Sequence, residues 1–385
     1  MEYLLSEQQK TIQGLARRIA EERILPVRAE LDEKEEFPWA IMKDLAESDL
    51  FRVFLPEAYE GLGGGCLDLC LVVEEISRVC SAVAISYAAT ALGSFALLEY
   101  GTEEQKRKYL PDIAAGKKLA AFALTEPTAG SDAGAIKTTA KKVDGGYVLN
   151  GTKQFITNGG EAELYTLIIL TDPSRGARGA SAVLVEKGTP GFLFGKKEKK
   201  MGIRASATRE LVFQNCLIPE QNLIGREGMG FLMAMKVFDR SRPGIAAQAV
   251  GLAQGALDTA VDYARQRIQF GHPIIALPVI QDKLADMAIQ VEAARALTYA
   301  VARTIDSGAK NFTAESSMSK VFASDTAMKV TTEAVQVMGG AGYMRDYPIE
   351  KMMRDAKITQ IYEGTNEVLR GTIAAELRKR KTKRE

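Results

Sequence analysis

The sequence predicts a mainly α-helical protein with a β-rich middle domain. Three observations carry this: a helical period from Ser6 to about Gly116, a change to short alternating runs near Leu119, and a return of the helical period after Gly225 and Gly228. The domains are drawn at residues 1–117, 118–228 and 229–385. A chain of 385 residues has room for two or three domains, which excludes a single small one. The order helices, strands, helices also disfavours a doubly wound nucleotide fold, in which strand and helix alternate.

Ser6 is placed to cap the first helix, and charged, Ala- and Leu-rich segments follow, punctuated at Pro26, Pro38, Pro56 and Gly61 to Gly65. In the middle domain β-branched and aromatic residues alternate with polar ones, and Asp144-Gly145-Gly146 and Asn150-Gly151 are turn signals. Strands are expected over Gly146 to Asn150, Tyr165 to Thr171, Ser181 to Glu186 and Glu210 to Gln214, with loops at Asp172 to Gly179 and Gly188 to Gly191. In the third domain Ile245, Ala249, Leu252, Ala256, Ala260 and Tyr263 trace one apolar stripe at steps of three and four. Its small residues let helices approach closely, and Pro278 to Ser307 and Thr313 to Met338 supply the neighbours of a long-helix bundle.

Fifty basic and 49 acidic residues leave a formal charge of +1, so no overall field favours nucleic acid or an anionic membrane. The one concentrated run, Arg378, Lys379, Arg380, Lys381, Lys383 and Arg384, reads as a solvated tail. Cys66, Cys70, Cys80 and Cys216, with a single histidine, make no metal quartet, and Cys66 and Cys70 suit buried thiols better than a secreted disulfide framework. The opening MEYLLSEQQ is not a basic, apolar leader, and no uninterrupted apolar run of about 18 residues is read, so a cytoplasmic protein without a membrane span is expected.

Conventional nucleophilic or metal chemistry finds no motif: there is no G-x-S-x-G elbow, HExxH helix or Walker loop, and His272 sits in a turn. The glycines at 61 and 63 to 65 follow no strand, which weakens a phosphate-binding reading. The remaining chemistry needs a cofactor. The segment Phe122 to Asp132 joins a strand-like start to a turn dense in hydroxyls and backbone N–H groups, suited to phosphate or the edge of a planar ring; an ordinary turn would explain Pro127 and Gly130 equally well. Lys153 to Gly160 repeats the theme, with Phe155 and Thr157 two apart at a strand end, where both can face one ring. Near the end, Tyr362, Glu363 and Gly364 precede a helix capped by Thr365 or Asn366. A glutamate before a glycine is ordinarily solvated, but Ile358, Ile361 and Tyr362 are apolar, and such surroundings raise a carboxyl pKa toward the range useful to a base.

These stretches together resemble the acyl-CoA dehydrogenase family over nearly the whole chain, and most closely its bacterial butyryl-CoA and medium-chain branch. The family's signatures resemble Phe122 to Ser131, Phe155 to Thr157, Gln336 to Tyr343, and Ile361 to Glu367. The resemblance implies an α-helical domain, a β-barrel-like domain and a C-terminal four-helix bundle, with FAD as cofactor. It implies Phe122, Leu124, Thr125, Gly130, Ser131, Phe155, Ile156 and Thr157 on the flavin side, with Thr157 near N5 and Phe155 against the ring. The adenine half falls on Arg267, Gln269, Phe270, Gln336, Val337, Gly339 and Gly340, partly from a neighbouring subunit of a homotetramer, and Thr365, Asn366 and Glu367 complete the FAD set. Pro278 departs from the glutamine common among relatives there, with Gln281 three residues later. Substrate contacts fall on Ser131, Tyr362, Gly364 and the start of a bundle helix, where Asp239, Ser241 and Arg242 would meet pantetheine and a CoA phosphate.

The implied reaction is α,β-dehydrogenation of an acyl-CoA to a trans-2-enoyl-CoA. Glu363 takes the α-proton, its backbone N–H helps hold the thioester oxygen, and electrons pass to electron-transferring flavoprotein. A minority branch carries its base at the Ser241 position; serine there and Glu363 on the loop assign the base to the loop. The alternatives are an acyl-CoA oxidase, whose usual long C-terminal extension is not seen here, a nitroalkane-oxidising relative, which would carry aspartate as base, and a non-catalytic flavin- or CoA-binding scaffold. Small residues at Ala88, Ala89, Thr90 and Ala91 leave short, medium and alicyclic acyl groups open, as is the direction of reaction.

Overall fold

The structure, a computed structural model, describes residues 3–379. Met1 and Glu2 of the opening segment and Arg380, Lys381, Lys383 and Arg384 of the basic run lie outside the described residues. Six helices come first: α1 Glu7–Ile19, α2 Arg28–Lys34, α3 Trp39–Glu47, α4 Cys66–Val79, α5 Ser81–Tyr100 and α6 Glu103–Ala114. Ser6 caps α1 in a reciprocal box with Gln9, and Thr102 caps α6 in the same way with Gln105. Gln105 then donates to the carbonyls of Gln221 and Leu223, so one cap also ties the helical domain to the strands.

Helix α5 is long and apolar enough, by length and composition, to cross a membrane, although its interspersed Ser86, Thr90, Gly93 and Ser94 leave no uninterrupted apolar run of that length. Those residues are buried in the fold with most of its length, and α5 is the core helix of its domain.

The strands are β1 Ala120–Ala123, β2 Thr139–Val143, β3 Gly146–Thr157, β4 Leu164–Leu170, β5 Ala180–Glu186, β6 Phe192–Lys197, β7 Thr208–Pro219 and β8 Leu223–Ile224. They form one sheet in the order β6-β7-β3-β2-β4-β5-β8, with β1 parallel to β4; the ladder is open, since β6 and β8 do not pair. Strands β3 and β7 run past the expected ends because their pairing shifts register between Leu149 and Gly151 and again between Lys153 and Ile156. Each shift resets the alternation, so a single period-2 phase captures only one part of each strand.

Helix α7 Gly230–Gln266 opens the last domain, followed by the hairpin β9 Ile268–Gln269 and β10 His272–Pro273, then α8 Pro278–Asp306, α9 Thr313–Met338, α10 Gly340–Tyr343, α11 Ile349–Thr359 and α12 Asn366–Lys379. α7 packs on α8 and α9, and α11 and α12 close the bundle against α9. The stripe from Ile245 to Ala260 is buried. On the face toward α4, a Cβ at Gly251 would lie 2.1 Å from the Glu74 carbonyl oxygen and one at Gly255 2.0 Å from that of Arg78, so only glycine permits this crossing.

The glycines before α4 hold no phosphate cradle. Its first amides, Cys66 and Leu67, donate to the Asp306 carboxylate at 2.6 and 2.9 Å, so the anion comes from the end of α8. Asp306→Ala should destabilise the protein by about 1–2 kcal/mol, the usual scale of a lost helix cap. Chemical denaturation measures this, and an unchanged free energy would mean that water serves those amides equally well.

Candidate active site

Glu363 lies in the turn between α11 and α12 with φ +50, followed by Gly364 with φ +97. A non-glycine residue in the left-handed region is strained and persists only where its surroundings fix it. Here they do. The Arg242 Nε donates to the Glu363 carbonyl at 3.2 Å, and Lys320 Nζ donates to the Gly364 carbonyl at 2.8 Å. Thr365 caps α12 by accepting the Val368 N–H at 3.3 Å. Among the described residues the N–H groups of Glu363 and Gly364 find no acceptor.

The side chain of Glu363 accepts a 2.5 Å hydrogen bond from Ser241 Oγ at Oε2, and none among the described residues at Oε1. Burial pushes its carboxyl up to about 7, against the opposing pull of Ser241, Arg242 and Lys320. The residue as a whole keeps some exposure, but the carboxylate is enclosed. Beside it the Tyr362 hydroxyl donates to Gln248 Oε1, and burial holds this phenol well above its ordinary value, so it stays neutral.

The segment Asp239 to Arg242 lies in the interior of α7 and not at the start of a helix, because α7 begins at Gly230. Pro243 follows. It has no N–H, which leaves the Asp239 carbonyl without its helical donor, and Ser316 Oγ of α9 fills the gap at 2.5 Å. The Asp239 carboxylate pairs with Arg242 at 2.8 Å and accepts from Thr313 Oγ1 at 2.6 Å. Both Asp239 and Arg242 are buried. In this structure these groups are engaged with each other, with Thr313 and with the Glu363 turn.

A second cluster forms where β1 and the turn after it meet β3. Gln154 N donates to the Thr125 carbonyl at 2.8 Å. Below them Lys153, fully buried, reaches Glu126 at 2.7 Å and the Leu124 carbonyl at 3.0 Å. Glu126 also accepts the N–H groups of Lys137 and Thr138, at 2.6 and 3.0 Å. Phe155 is 58% exposed with φ +59, at the register shift, so its pairing with Thr157 comes from a bulge and not from simple alternation. Phe122, Leu124 and Ile156 are core side chains, with Phe122 edge-on to Phe238 of α7 at 5.4 Å, so only their backbone is free to meet a ligand.

Exposed Gly130 and Ser131, and partly exposed Thr125 and Thr157, fit a planar ring with polar edges: among the described residues none of the three hydroxyls is engaged. Arg209 Nε, on β7 opposite Ile156, is buried without a partner among the described residues and lies beside Gly160. These unengaged polar groups fit the flavin side of FAD. The remaining expected residues stand apart. Arg267, Gln269 and Phe270 lie exposed on the β9–β10 hairpin, Phe270 at 87%, and Gln336, Gly339 and Gly340 are exposed at the end of α9. The Val337 side chain packs in the bundle core, so only its backbone is free to meet a ligand. Asn366 is buried and bound to Ser324 and Asp325, so its side chain anchors the turn, and Glu367 is exposed. Pro278 occupies the first turn of α8, where its missing N–H leaves no helical bond unmade.

Lys320, Gln248 and the Glu126–Lys153 pair escaped the sequence reading. The available signal was a lysine on the buried face of α9, between Ser316 and Ser324 at helical spacing. A cavity of about 620 Å³ between α1, α4 and α8 contains none of the expected site residues, and its Arg17, Glu74, Glu75 and Arg295 are paired with each other.

The chain matches three family descriptions in sequence: acyl-CoA dehydrogenase N-terminal domain over residues 6–117, middle domain over 121–216 and C-terminal domain over 228–378. It is 48% identical to the acryloyl-CoA reductase (NADH) of Anaerotignum propionicum, across 99% of this chain and 97% of that protein. Butyryl-CoA dehydrogenase from Megasphaera elsdenii superposes with a TM-score of 0.96 at 45% identity, covering 98% of this chain and 100% of that one. A chain solved in work on the electron transferring flavoprotein of Acidaminococcus fermentans and flavin-based electron bifurcation gives 0.96 at 46% identity, covering 98% and 99%.

Removing one partner of a buried ion pair leaves the other charge uncompensated, so Lys153→Met should cost about 3 kcal/mol of stability. Thermal denaturation of the variant tests this, and a melting temperature equal to the wild type would contradict it.

Proposed function

The chain belongs to the acyl-CoA dehydrogenase family of oxidoreductases, and from that premise we propose that it dehydrogenates a short-chain acyl-CoA to its trans-2-enoyl-CoA with Glu363 as the base. One observation supports this above the rest: a carboxylate out of water, raised to about 7, on a turn whose own N–H is free. Near neutral pH such a group is ionised often enough to act and basic enough to take a proton from carbon. Ser241 occupies Oε2 and leaves Oε1 to accept the α-proton. The N–H of Glu363 is available to a thioester oxygen, where one such donor contributes about 3 kcal/mol as enolate charge develops. Bound FAD supplies the acceptor for the β-hydrogen and its electron pair. Thr125, Phe155 and Thr157 would hold its ring, and the exposed Arg267 to Phe270 hairpin and the end of α9 would hold the adenine half of a neighbouring copy in a homotetramer.

A short acyl chain is supported by the likeness to butyryl-CoA dehydrogenase. Electron-transferring flavoprotein as the acceptor is supported by the likeness to the Acidaminococcus fermentans chain. The relation to an acryloyl-CoA reductase favours one second reading, the same chemistry run as enoyl-CoA reduction.

Anaerobic mixing with acyl-CoAs of increasing length tests the reaction. Butyryl-CoA should bleach the flavin's visible absorption, and Glu363→Gln should slow bleaching about 10²- to 10⁴-fold, the usual weight of a general base. Bleaching at the wild-type rate in that variant would remove Glu363 from the role. Because the base must be ionised, kcat/KM should rise with pH through about 7, and a flat profile from pH 5 to 9 would contradict the assignment. The Ser241 bond favours the ionised form, so Ser241→Ala should move that rise to higher pH.

A further inference from the structure

Lys320 is fully buried on α9, and the reaction as described gives it no part. Its ammonium donates to the Gly364 carbonyl at 2.8 Å and to Asn366 Oδ1 at 3.0 Å. One turn along α9, Ser324 Oγ reaches the same Asn366 oxygen at 3.2 Å, and Asn366 Nδ2 donates to Asp325 Oδ1 at 2.8 Å. From the other side Arg242 Nε holds the Glu363 carbonyl at 3.2 Å. Two consecutive carbonyls in a left-handed turn are thus each gripped by a cation from a different helix. Neutral donors could satisfy the same carbonyls, and burying an ammonium is costly unless its charge is used.

We infer that Lys320 is a positioning residue for Glu363: it clamps the strained turn through the Gly364 carbonyl, and its positive charge keeps the neighbouring carboxylate ionised in a dry site. The charged groups around it fit this use. Glu363 and Glu367 face it from the turn and α12, Asp325 from its own helix, and Arg242, already paired with Asp239, from α7. Burial lowers the Lys320 ammonium to about 7, and Glu363 is the largest influence opposing that fall. The two groups therefore titrate as a linked pair, each favouring the charged form of the other. When Glu363 takes up a proton, the ammonium loses its principal counter-charge, so a protonated carboxyl is disfavoured beside a charged Lys320.

This rests on Glu363 being the base, and the test separates the two. Difference infrared spectroscopy follows protonation of the Glu363 carboxyl against pH, with Glu363→Gln identifying its band, whether or not any acyl-CoA is turned over. Lys320→Gln keeps a donor for the Gly364 carbonyl and removes the charge. The carboxyl midpoint should then rise by about one pH unit, the scale of a lost neighbouring charge, and the rise of kcat/KM should move with it. A midpoint unchanged in a folded Lys320→Gln protein would overturn the inference. Should that variant not fold, the reciprocal measurement serves: in Glu363→Gln protein labelled at lysine Cε, the Lys320 midpoint read by NMR should fall, and an unchanged midpoint would equally overturn it. Loss of all acyl-CoA chemistry with the infrared shift intact would instead count against the proposed reaction alone.

Discussion

A carboxylate that must be out of water and yet ionised near neutral pH sets the terms for the C-terminal domain. Burial alone pushes Glu363 upward, and three groups pull it back: a hydroxyl at 2.5 Å and the two cations Arg242 and Lys320. Each comes from a helix whose own construction serves that placement. Pro243 breaks the α7 ladder beside Arg242 and frees a carbonyl that α9 then takes up through Ser316, so the interruption joins the two helices at the site. The left-handed turn at Glu363 and Gly364 is affordable because the same cations grip its carbonyls. Chemistry and backbone strain are held by one set of contacts.

The other two domains make that arrangement rigid from outside. Glycines at 251 and 255 bring α4 against α7 at a distance no side chain would allow, so the helix bearing Ser241 and Arg242 is fixed along its far half. Phe122 of β1 packs on Phe238 of α7, one residue before Asp239, which registers the sheet against the helix that carries the site. Within the sheet the buried Glu126–Lys153 pair joins the two turns proposed to hold the flavin ring, and backbone amides of Lys137 and Thr138 complete the carboxylate. A buried pair satisfied this fully favours one geometry over near alternatives, since any shift leaves a desolvated charge short of partners.

The order of the three parts was legible because helical and alternating periods differ and the boundaries carry glycine and proline. The α9 limits, Thr313 and Met338, were readable to the residue, since its flanks break the pattern on both sides. Strands were legible only in part: at Lys153 to Ile156 a bulge inserts a residue and inverts the alternation that a reader would extend. Glu363 was legible from its apolar neighbours, which act locally. Lys320 and Lys153 were not, because each charge is balanced by a group far away in sequence, and nothing local distinguishes a buried lysine from a solvated one. The pairing of Asp239 with Arg242 was hidden for a related reason: charges three apart in a helix look solvated until packing shows them buried and bound to each other.

The direct test of Glu363 as the base is exchange of the α-hydrogen of bound butyryl-CoA with solvent deuterium, read by mass spectrometry, in wild-type and Glu363→Gln protein. A base that takes this proton reversibly exchanges it with solvent, so label should enter C2 with the wild type and stay at background with the variant. Label entering at the same rate in both would contradict the central role of Glu363 and require the proton to leave through another group.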